Sequence, residues 1–172
     1  MASVLLLLDV QKNMLLPPAP VLGAAAVSAA IEELLGRARS AGSLVVHVRN
    51  GGVDGDPDEP GTPGWELIHE IRAGEHVVDK AKPDAFAGTG LGSLIPVGSE
   101  MVVAGMQSEF CVRATARAAL DRGHRVVLVR GAHGTYEARV PREIEAELRA
   151  AGVTVSGPEA VKFEKHGRED GI

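Results

Sequence analysis

The chain has one cysteine and no long apolar run, and these two scarcities exclude several classes of protein. A single cysteine in 172 residues excludes an intrachain disulfide framework and fits a reducing compartment. The apolar run at residues 4–8 has no basic residue before it and ends at Asp9. Because that run is too short for a signal peptide or a membrane helix, we expect a buried strand, no membrane partner and a soluble, cytoplasmic protein.

Positive charge is neither in excess nor clustered along the chain. The 18 lysines and arginines are outnumbered by 23 acidic residues, which gives a formal net charge of −5. Binding to a nucleic-acid backbone needs a basic patch, so we expect no nucleic-acid partner. The composition, 45% hydrophobic and 24% charged, is that of a globular protein, and the length fits a single domain over residues 1–172.

Short apolar runs alternate with helical patterns from end to end. Uninterrupted apolar runs such as residues 4–8 are typical of parallel strands covered on both faces. We expect strands at 4–8, 44–48, 76–79, 101–104, 125–129 and 153–155, and helices at 24–41, 91–95, 108–122 and 141–151. This alternation predicts an α/β fold, namely a doubly wound, six-stranded, mostly parallel sheet with helices on both faces.

Cys111 stands at the junction of a predicted strand and a predicted helix. The strand ends at Gly105 and the helix begins near Ser108, so the thiol would lie in the first turn of the helix. The free N–H groups and the positive end of the helix dipole favour thiolate over thiol there. Cys111 is therefore a candidate nucleophile, although a lone cysteine is often only a small buried hydrophobe.

Asp9 directly follows the first strand, as Cys111 follows the fourth. In doubly wound sheets, ligands bind beyond the carboxyl ends of the strands, where the strand order reverses. With the common order 3-2-1-4-5-6, strands one and four would flank that crevice. A carboxylate and a thiol on its two sides predict a base and a nucleophile. The alternative for Asp9 is a cap of the turn after the strand.

Three segments together resemble the isochorismatase-like cysteine hydrolases, the superfamily that includes nicotinamidases and N-carbamoylsarcosine amidohydrolases. They are LLLLDVQKNM, VVDKAKPDAFAGTGL and GMQSEFCVRATARAALDRGHRVVLV, and the similarity runs over about residues 3–155. The resemblance implies a Rossmann-like hydrolase fold and an Asp-x-Gln signature at Asp9 and Gln11. It also implies a functional lysine six residues before Phe86, which is Lys80; Lys82 is the competing candidate.

The resemblance implies a catalytic triad of Asp9, Lys80 and Cys111. It also implies a cis peptide between Met106 and Gln107, with the N–H groups of Gln107 and Cys111 forming an oxyanion hole. In this interpretation Asp9 takes the thiol proton, Lys80 stabilises the thiolate, and the sulfur attacks a carbonyl carbon to form a thioester.

The function predicted in this way is hydrolysis of an amide-type C–N bond in a small molecule. Two alternatives remain open: vinyl-ether hydrolysis, and a catalytically silent relative that binds a ligand in the same crevice. Relatives commonly form dimers or tetramers, so we expect a homo-oligomer, with the segments around Trp65 and Tyr136 as candidate contact surfaces. Trp65 is equally a candidate wall of the substrate pocket. The candidate pocket residues are Gln11, Trp65, Phe86 and Phe110.

Neither a metal nor another cofactor is expected. Nicotinamidases carry an Asp-x-His-x-His type cluster after the second strand, whereas this chain has only His47-x-Arg49. Asp54, Asp56 and Asp58 alternate as in a calcium loop, but the sixth and twelfth positions lack the required Gly and Glu. We therefore expect an acidic, solvated loop at these three aspartates. The glycines at residues 88–93 do not match the spacing of the dinucleotide-binding motif.

Overall fold

The computed structural model describes residues 1–167, and its centre is a sheet of six parallel strands. The strands are β1 (Val4–Leu8), β2 (Leu44–Asn50), β3 (His76–Lys80), β4 (Glu100–Met106), β5 (Arg125–Gly134) and β6 (Thr154–Ser156). Their order is β3-β2-β1-β4-β5-β6, so the strand order reverses at the neighbouring strands β1 and β4. The predicted doubly wound α/β sheet and its strand order are confirmed.

Helices cover both faces of the sheet. They are α1 (Lys12–Leu15), α2 (Ala24–Ala41), α3 (Leu91–Leu94), α4 (Arg113–Asp121) and α5 (Val140–Ala151). One apolar cluster joins α2 to one face of the sheet, and a second joins α3, α4 and α5 to the other face. All five residues of β1 are buried because this strand lies between the two clusters. No helix within residues 1–167 is long and apolar enough to cross a membrane.

The segment between β4 and α4 differs from the prediction. Residues 108–122 were expected to form one continuous helix, but Ser108–Val112 form a π-helical turn before α4 begins. The N–H of Val112 donates to the carbonyl oxygen of Gln107, five residues back. The wider turn shifts the helical period by one residue, which the apolar pattern did not reveal. The short helix α1 was also not predicted.

Gly105 lies inside β4 rather than in a turn after it. Its φ is +125°, and a Cβ built on it would overlap the carbonyl oxygen of Leu8 on β1. Only glycine permits this close approach of the two strands. Since β1 delivers Asp9 and β4 leads to Cys111, the contact brings the two sides of the crevice together.

Candidate active site

The structure brings Asp9, Lys80 and Cys111 together at the carboxyl edge of the sheet. Asp9 follows β1, Lys80 is the last residue of β3, and Cys111 lies in the π-helical turn after β4. The Nζ of Lys80 is 3.1 Å from Sγ of Cys111 and 3.4 Å from Oδ2 of Asp9. The side chains of Asp9 and Lys80 are buried, whereas Cys111 is partly exposed. Cys111 is thus the most accessible of the three residues.

Asp9 is held in an uncommon backbone conformation. Its φ is +52°, in the left-handed region that aspartate tolerates better than most residues do. Its N–H donates to the carbonyl oxygen of Val48, which continues the ladder between β1 and β2 beyond the end of β1. Oδ1 of Asp9 is buried without a hydrogen-bond partner among residues 1–167. The carboxylate thus retains an oxygen that can accept a proton.

The electrostatics of the site keep the cysteine protonated at rest. Burial raises the pKa of Asp9 from 3.8 to about 6, although the Lys80 ammonium acts in the opposite direction. Burial also raises the pKa of Cys111 to about 12; the Asp9 carboxylate adds to this and Lys80 opposes it. The expectation that the helix terminus favours a thiolate is therefore wrong, because burial and Asp9 outweigh it. Near neutral pH the site contains a thiol, a carboxylate and an ammonium.

The peptide bond between Met106 and Gln107 is cis, as the resemblance implied. It lies at the end of β4, directly before the π-helical turn that carries Cys111. The two N–H groups expected to form an oxyanion hole, those of Gln107 and Cys111, thus belong to this one short segment.

Asn50 and Asp58 contact the site, and sequence reasoning assigned neither of them to it. Oδ1 of Asn50 accepts a hydrogen bond from Nζ of Lys80 over 2.9 Å, and Nδ2 of Asn50 donates to Oδ2 of Asp58 over 2.6 Å. Asp58 is buried, so the expectation of a solvated loop is wrong at this residue, although Asp54 and Asp56 are exposed. An asparagine at the end of a buried strand was the one available signal.

Two of the candidate pocket residues do not face a pocket. Gln11 is buried, and its amide bonds both the N–H and the carbonyl of Asn50 and the carbonyl of Trp65. Phe86 is buried in the core, where its ring packs near the ring of His124 and the guanidinium of Arg122. Their contribution is to packing and loop geometry, because neither presents surface to a ligand.

Trp65 and Phe110 are the candidates that remain accessible. Trp65 lines a cavity of about 540 Å³ that extends to Lys80, and the guanidinium of Arg49 lies 3.6 Å over its ring. Phe110 is 54% exposed beside Cys111. Lys82 is exposed, and no contact with Cys111 is found for it, so Lys80 occupies the place beside the sulfur. A cavity of about 530 Å³ at the amino-terminal edge of the sheet is remote from this chemistry.

A buried Ser–His–Glu array lies behind the π-helical turn. The hydroxyl of Ser108 is 2.8 Å from Nδ1 of His133, whose Nε2 is 3.0 Å from Oε1 of Glu145. Burial lowers the pKa of His133 despite the opposing effect of Glu145. Ser108 is fully buried, so it cannot attack a substrate. The array instead links α5 to the turn that carries Cys111. Within residues 1–167 no group of three or more His, Cys, Asp or Glu side chains is arranged to hold a metal ion.

Comparison with known families identifies this arrangement of fold and site. A family model described as the isochorismatase domain matches residues 3–157, nearly the whole chain. The chain therefore belongs to the isochorismatase family, as its three sequence segments predicted.

Individual relatives extend this finding. A streptothricin hydrolase from Streptomyces noursei is 47% identical over 151 residues, covering 86% of this chain and 55% of the relative. The chain spans about half the length of the curated streptothricin hydrolases that it matches.

Solved structures agree in fold. An isochorismatase family protein from Desulfovibrio vulgaris subsp. vulgaris str. Hildenborough superimposes with a TM-score of 0.83 at 31% identity, covering 93% of this chain and 96% of that one. N-carbamoylsarcosine amidase from Thermoplasma acidophilum gives a TM-score of 0.83 at 25% identity, with 94% and 99% covered.

Proposed function

We propose that this protein is a cysteine hydrolase that cleaves an amide-type C–N bond of a small molecule, with Asp9, Lys80 and Cys111 as its catalytic residues. The observation that carries the proposal is the position of the Lys80 ammonium, 3.1 Å from the sulfur of Cys111 and 3.4 Å from the carboxylate of Asp9. The names of two relatives, a streptothricin hydrolase and an N-carbamoylsarcosine amidase, support amide-type chemistry.

The first half of the reaction forms a thioester. As Sγ of Cys111 attacks the carbonyl carbon, its proton passes to Asp9, whose pKa of about 6 leaves it ionised at neutral pH. The Lys80 ammonium stabilises the negative charge that develops on the sulfur. The N–H groups of Gln107 and Cys111 would hold the oxyanion of the tetrahedral intermediate. The C–N bond then breaks, and protonated Asp9 gives its proton to the departing nitrogen.

The second half regenerates the enzyme. Asp9 is again a carboxylate and removes a proton from a water molecule, which attacks the thioester carbon. The C–S bond breaks, the acid product leaves, and the proton on Asp9 returns to the sulfur of Cys111. Each proton taken by Asp9 is thus given up in the same half-reaction, so the buried site starts and ends with the same charge.

A substrate screen with a matched variant tests this function. Streptothricin and N-carbamoylsarcosine, the compounds in the relatives' names, are assayed beside simple amides and a vinyl ether, with release of ammonia, amine or acid as the readout. We expect turnover of a C–N substrate that disappears in Cys111→Ala and in Cys111→Ser while the fold is retained by circular dichroism. Wild-type turnover in Cys111→Ala would overturn the mechanism. Turnover of the vinyl ether alone would show that the enzyme cleaves a vinyl-ether bond and not a C–N bond.

A catalytically silent protein is distinguished by the reactivity of its thiol. Cys111 is the only cysteine in the chain, so incorporation of iodoacetamide measured by mass reports on this residue alone. A hydrolase of the proposed kind should be alkylated at a rate that depends on Asp9 and Lys80, so Asp9→Asn should change the rate. An alkylation rate equal to that of a free thiol in both proteins, with no substrate turned over, would favour the silent protein.

A further inference from the structure

We propose that Asn50 and Asp58 are positioning residues for Lys80, and that they hold its ammonium against the sulfur of Cys111. This inference rests on the proposed function, which makes Lys80 catalytic. Neither residue touches the sulfur, and Asp58 belongs to a loop in which the nearby Asp54 is exposed. The proposal therefore adds two groups that act through the lysine rather than on a substrate.

The ammonium of Lys80 has three N–H donors, and three acceptors surround it. Oδ1 of Asn50 is at 2.9 Å, Sγ of Cys111 at 3.1 Å and Oδ2 of Asp9 at 3.4 Å. The contact to Asn50 is the shortest of the three. Because the side chain of Lys80 is fully buried, loss of the Asn50 acceptor would leave a charged donor unpaired and free to turn away from the sulfur.

The two ends of the Asn50 amide can face only one way. An ammonium can only donate a hydrogen bond, and a carboxylate can only accept one. The amide oxygen must therefore face Lys80, and the amide nitrogen must face Asp58, 2.6 Å away. The opposite orientation would set two donors against each other and two acceptors against each other. Asp58 thus fixes the orientation of the amide, and the amide fixes the ammonium.

Three features of the fold hold Asn50, Lys80 and Asp58 in contact. Asn50 and Lys80 are register partners at the ends of the neighbouring parallel strands β2 and β3, so they lie side by side. The amide of Gln11 bonds both backbone groups of Asn50 and keeps the end of the strand in place. A side chain at Gly52 would overlap the carboxylate of Asp58, so glycine leaves the space that Asp58 occupies. A solvated loop would need none of these features.

Asp58 also affects the pKa of Asp9, the proposed general base. The charged and titratable groups that face Asp9 are Lys80 from β3, Cys111 from the π-helical turn and Asp58 from the loop after β2. Burial is the main cause of the raised pKa of Asp9, and the negative charge of Asp58 adds to it. Removing that charge should lower the pH at which Asp9 becomes a carboxylate, a signature that a merely structural residue would not give.

The test compares Asp58→Asn with Asp54→Asn. Both variants remove one negative charge from the same loop without changing the size of the side chain, but Asp54 is exposed and outside the site. We expect Asp58→Asn to lower kcat about tenfold with little change in KM, and Asn50→Ala to lower it by up to about 100-fold. The acid limb of kcat/KM should move to lower pH in Asp58→Asn and stay in place in Asp54→Asn.

A second measurement keeps the test independent of turnover and of folding losses. The rate of alkylation of Cys111 by iodoacetamide is followed against pH in the folded fraction of each protein, and its acid limb should shift in Asp58→Asn as that of kcat/KM does. Unchanged kcat and unshifted limbs in folded Asp58→Asn would overturn this inference while the proposed function stands. If Cys111→Ala keeps full turnover, the proposed function fails instead, and the alkylation profile still decides whether Asp58 acts on Asp9 and the cysteine.

Discussion

The ammonium of Lys80 donates a hydrogen bond to the sulfur of Cys111 over 3.1 Å, although the residues are 31 positions apart. Asp9 lies on the other side of the ammonium, at 3.4 Å. Before the proposed attack, the charges of Asp9 and Lys80 cancel and the thiol is neutral. After proton transfer to Asp9, the charges of Lys80 and the thiolate cancel instead. The buried site therefore gains no net charge, and a thiol with a high pKa can still act as a nucleophile.

Lys80→Met should lower kcat by about 100-fold or more, because it removes the donor that stabilises the developing charge on sulfur. The same substitution at Lys82 should leave most of kcat, since Lys82 is exposed and has no contact with the sulfur. Steady-state kinetics measure both variants. Loss of Lys80 also leaves the Asp9 carboxylate unpaired, so thermal unfolding must show that Lys80→Met is folded. Equal effects of the two variants would contradict the assignment of the lysine.

The pH profile should report Asp9. Its pKa of about 6 means that the carboxylate predominates above pH 6 and the protonated acid below it. Only the carboxylate can accept the thiol proton, so kcat/KM should fall as the pH drops through about 6, and Asp9→Asn should be inactive. The limb belongs to the coupled Asp9–Cys111 pair rather than to one group. An acid limb near pH 4, the ordinary value for aspartate, would contradict the raised pKa of Asp9.

The contribution of Asp9 to stability should fall as the pH rises, whereas its contribution to activity should increase. Its pKa is higher in the folded chain than in the unfolded one, so between about pH 4 and 6 the folded state binds more protons. The contribution of Asp9 to the free energy of unfolding should therefore fall as the pH rises through this window, by about 3 kcal/mol in all. Urea unfolding of the wild type and Asp9→Asn across the window measures the difference. A difference that grows with pH would be contrary to expectation.

The predictability of each feature depended on how local its cause is. The strands and their order followed from uninterrupted apolar runs and from the rules of parallel sheets, which act through neighbouring residues. The site roles of Asn50 and Asp58 were not predictable, because one aspartate among three in a Gly- and Pro-containing loop gives no sign that Gly52 leaves room for it to turn inward. The pKa of Cys111 was predicted in the wrong direction for the same reason, since burial is a tertiary property.

Gly105→Ala should be far more damaging than Gly98→Ala. Both glycines have positive φ, +125° and +75° respectively, so alanine is strained at either position. A Cβ at Gly98 meets nothing within 4 Å, whereas a Cβ at Gly105 overlaps the carbonyl of Leu8. We expect about 1–2 kcal/mol of destabilisation at Gly98 and more than about 4 kcal/mol, or failure to fold, at Gly105. Similar melting temperatures for the two variants would show that β1 and β4 need no such contact.

Ser108→Ala should separate support of the turn from catalysis. The variant leaves Nδ1 of buried His133 without a hydrogen-bond partner among the described residues, at a cost of about 1–3 kcal/mol. Chemical denaturation measures that loss. Because Ser108 is fully buried, the variant should keep turnover well above that of Cys111→Ala. A complete loss of activity in folded Ser108→Ala would assign the Ser–His–Glu array to the reaction itself.

We also propose that the protein is a homo-oligomer and that a patch formed by Leu16, Leu22 and Tyr136 contributes to the contact. These side chains are 45%, 51% and 43% exposed. Two hydrogen bonds connect the segments that carry them: the hydroxyl of Tyr136 donates to the carbonyl oxygen of Ala19, and the N–H of Leu22 donates to that of Thr135. Aromatic and apolar residues grouped in this way are typical of the centre of an interface.

Light scattering during size-exclusion chromatography tests the assembly. We expect a mass of at least two chains of 17.9 kDa each. Leu22→Asp or Tyr136→Asp should lower the mass toward that of the monomer, because a charge in the centre of an interface must be desolvated. Val97→Asp is the matched control, since Val97 is 94% exposed, in the turn before β4, and outside the patch. A monomeric wild type at micromolar concentration would contradict the proposal. Dissociation by Val97→Asp instead would show that the contact lies at the amino-terminal edge of the sheet, near Val97.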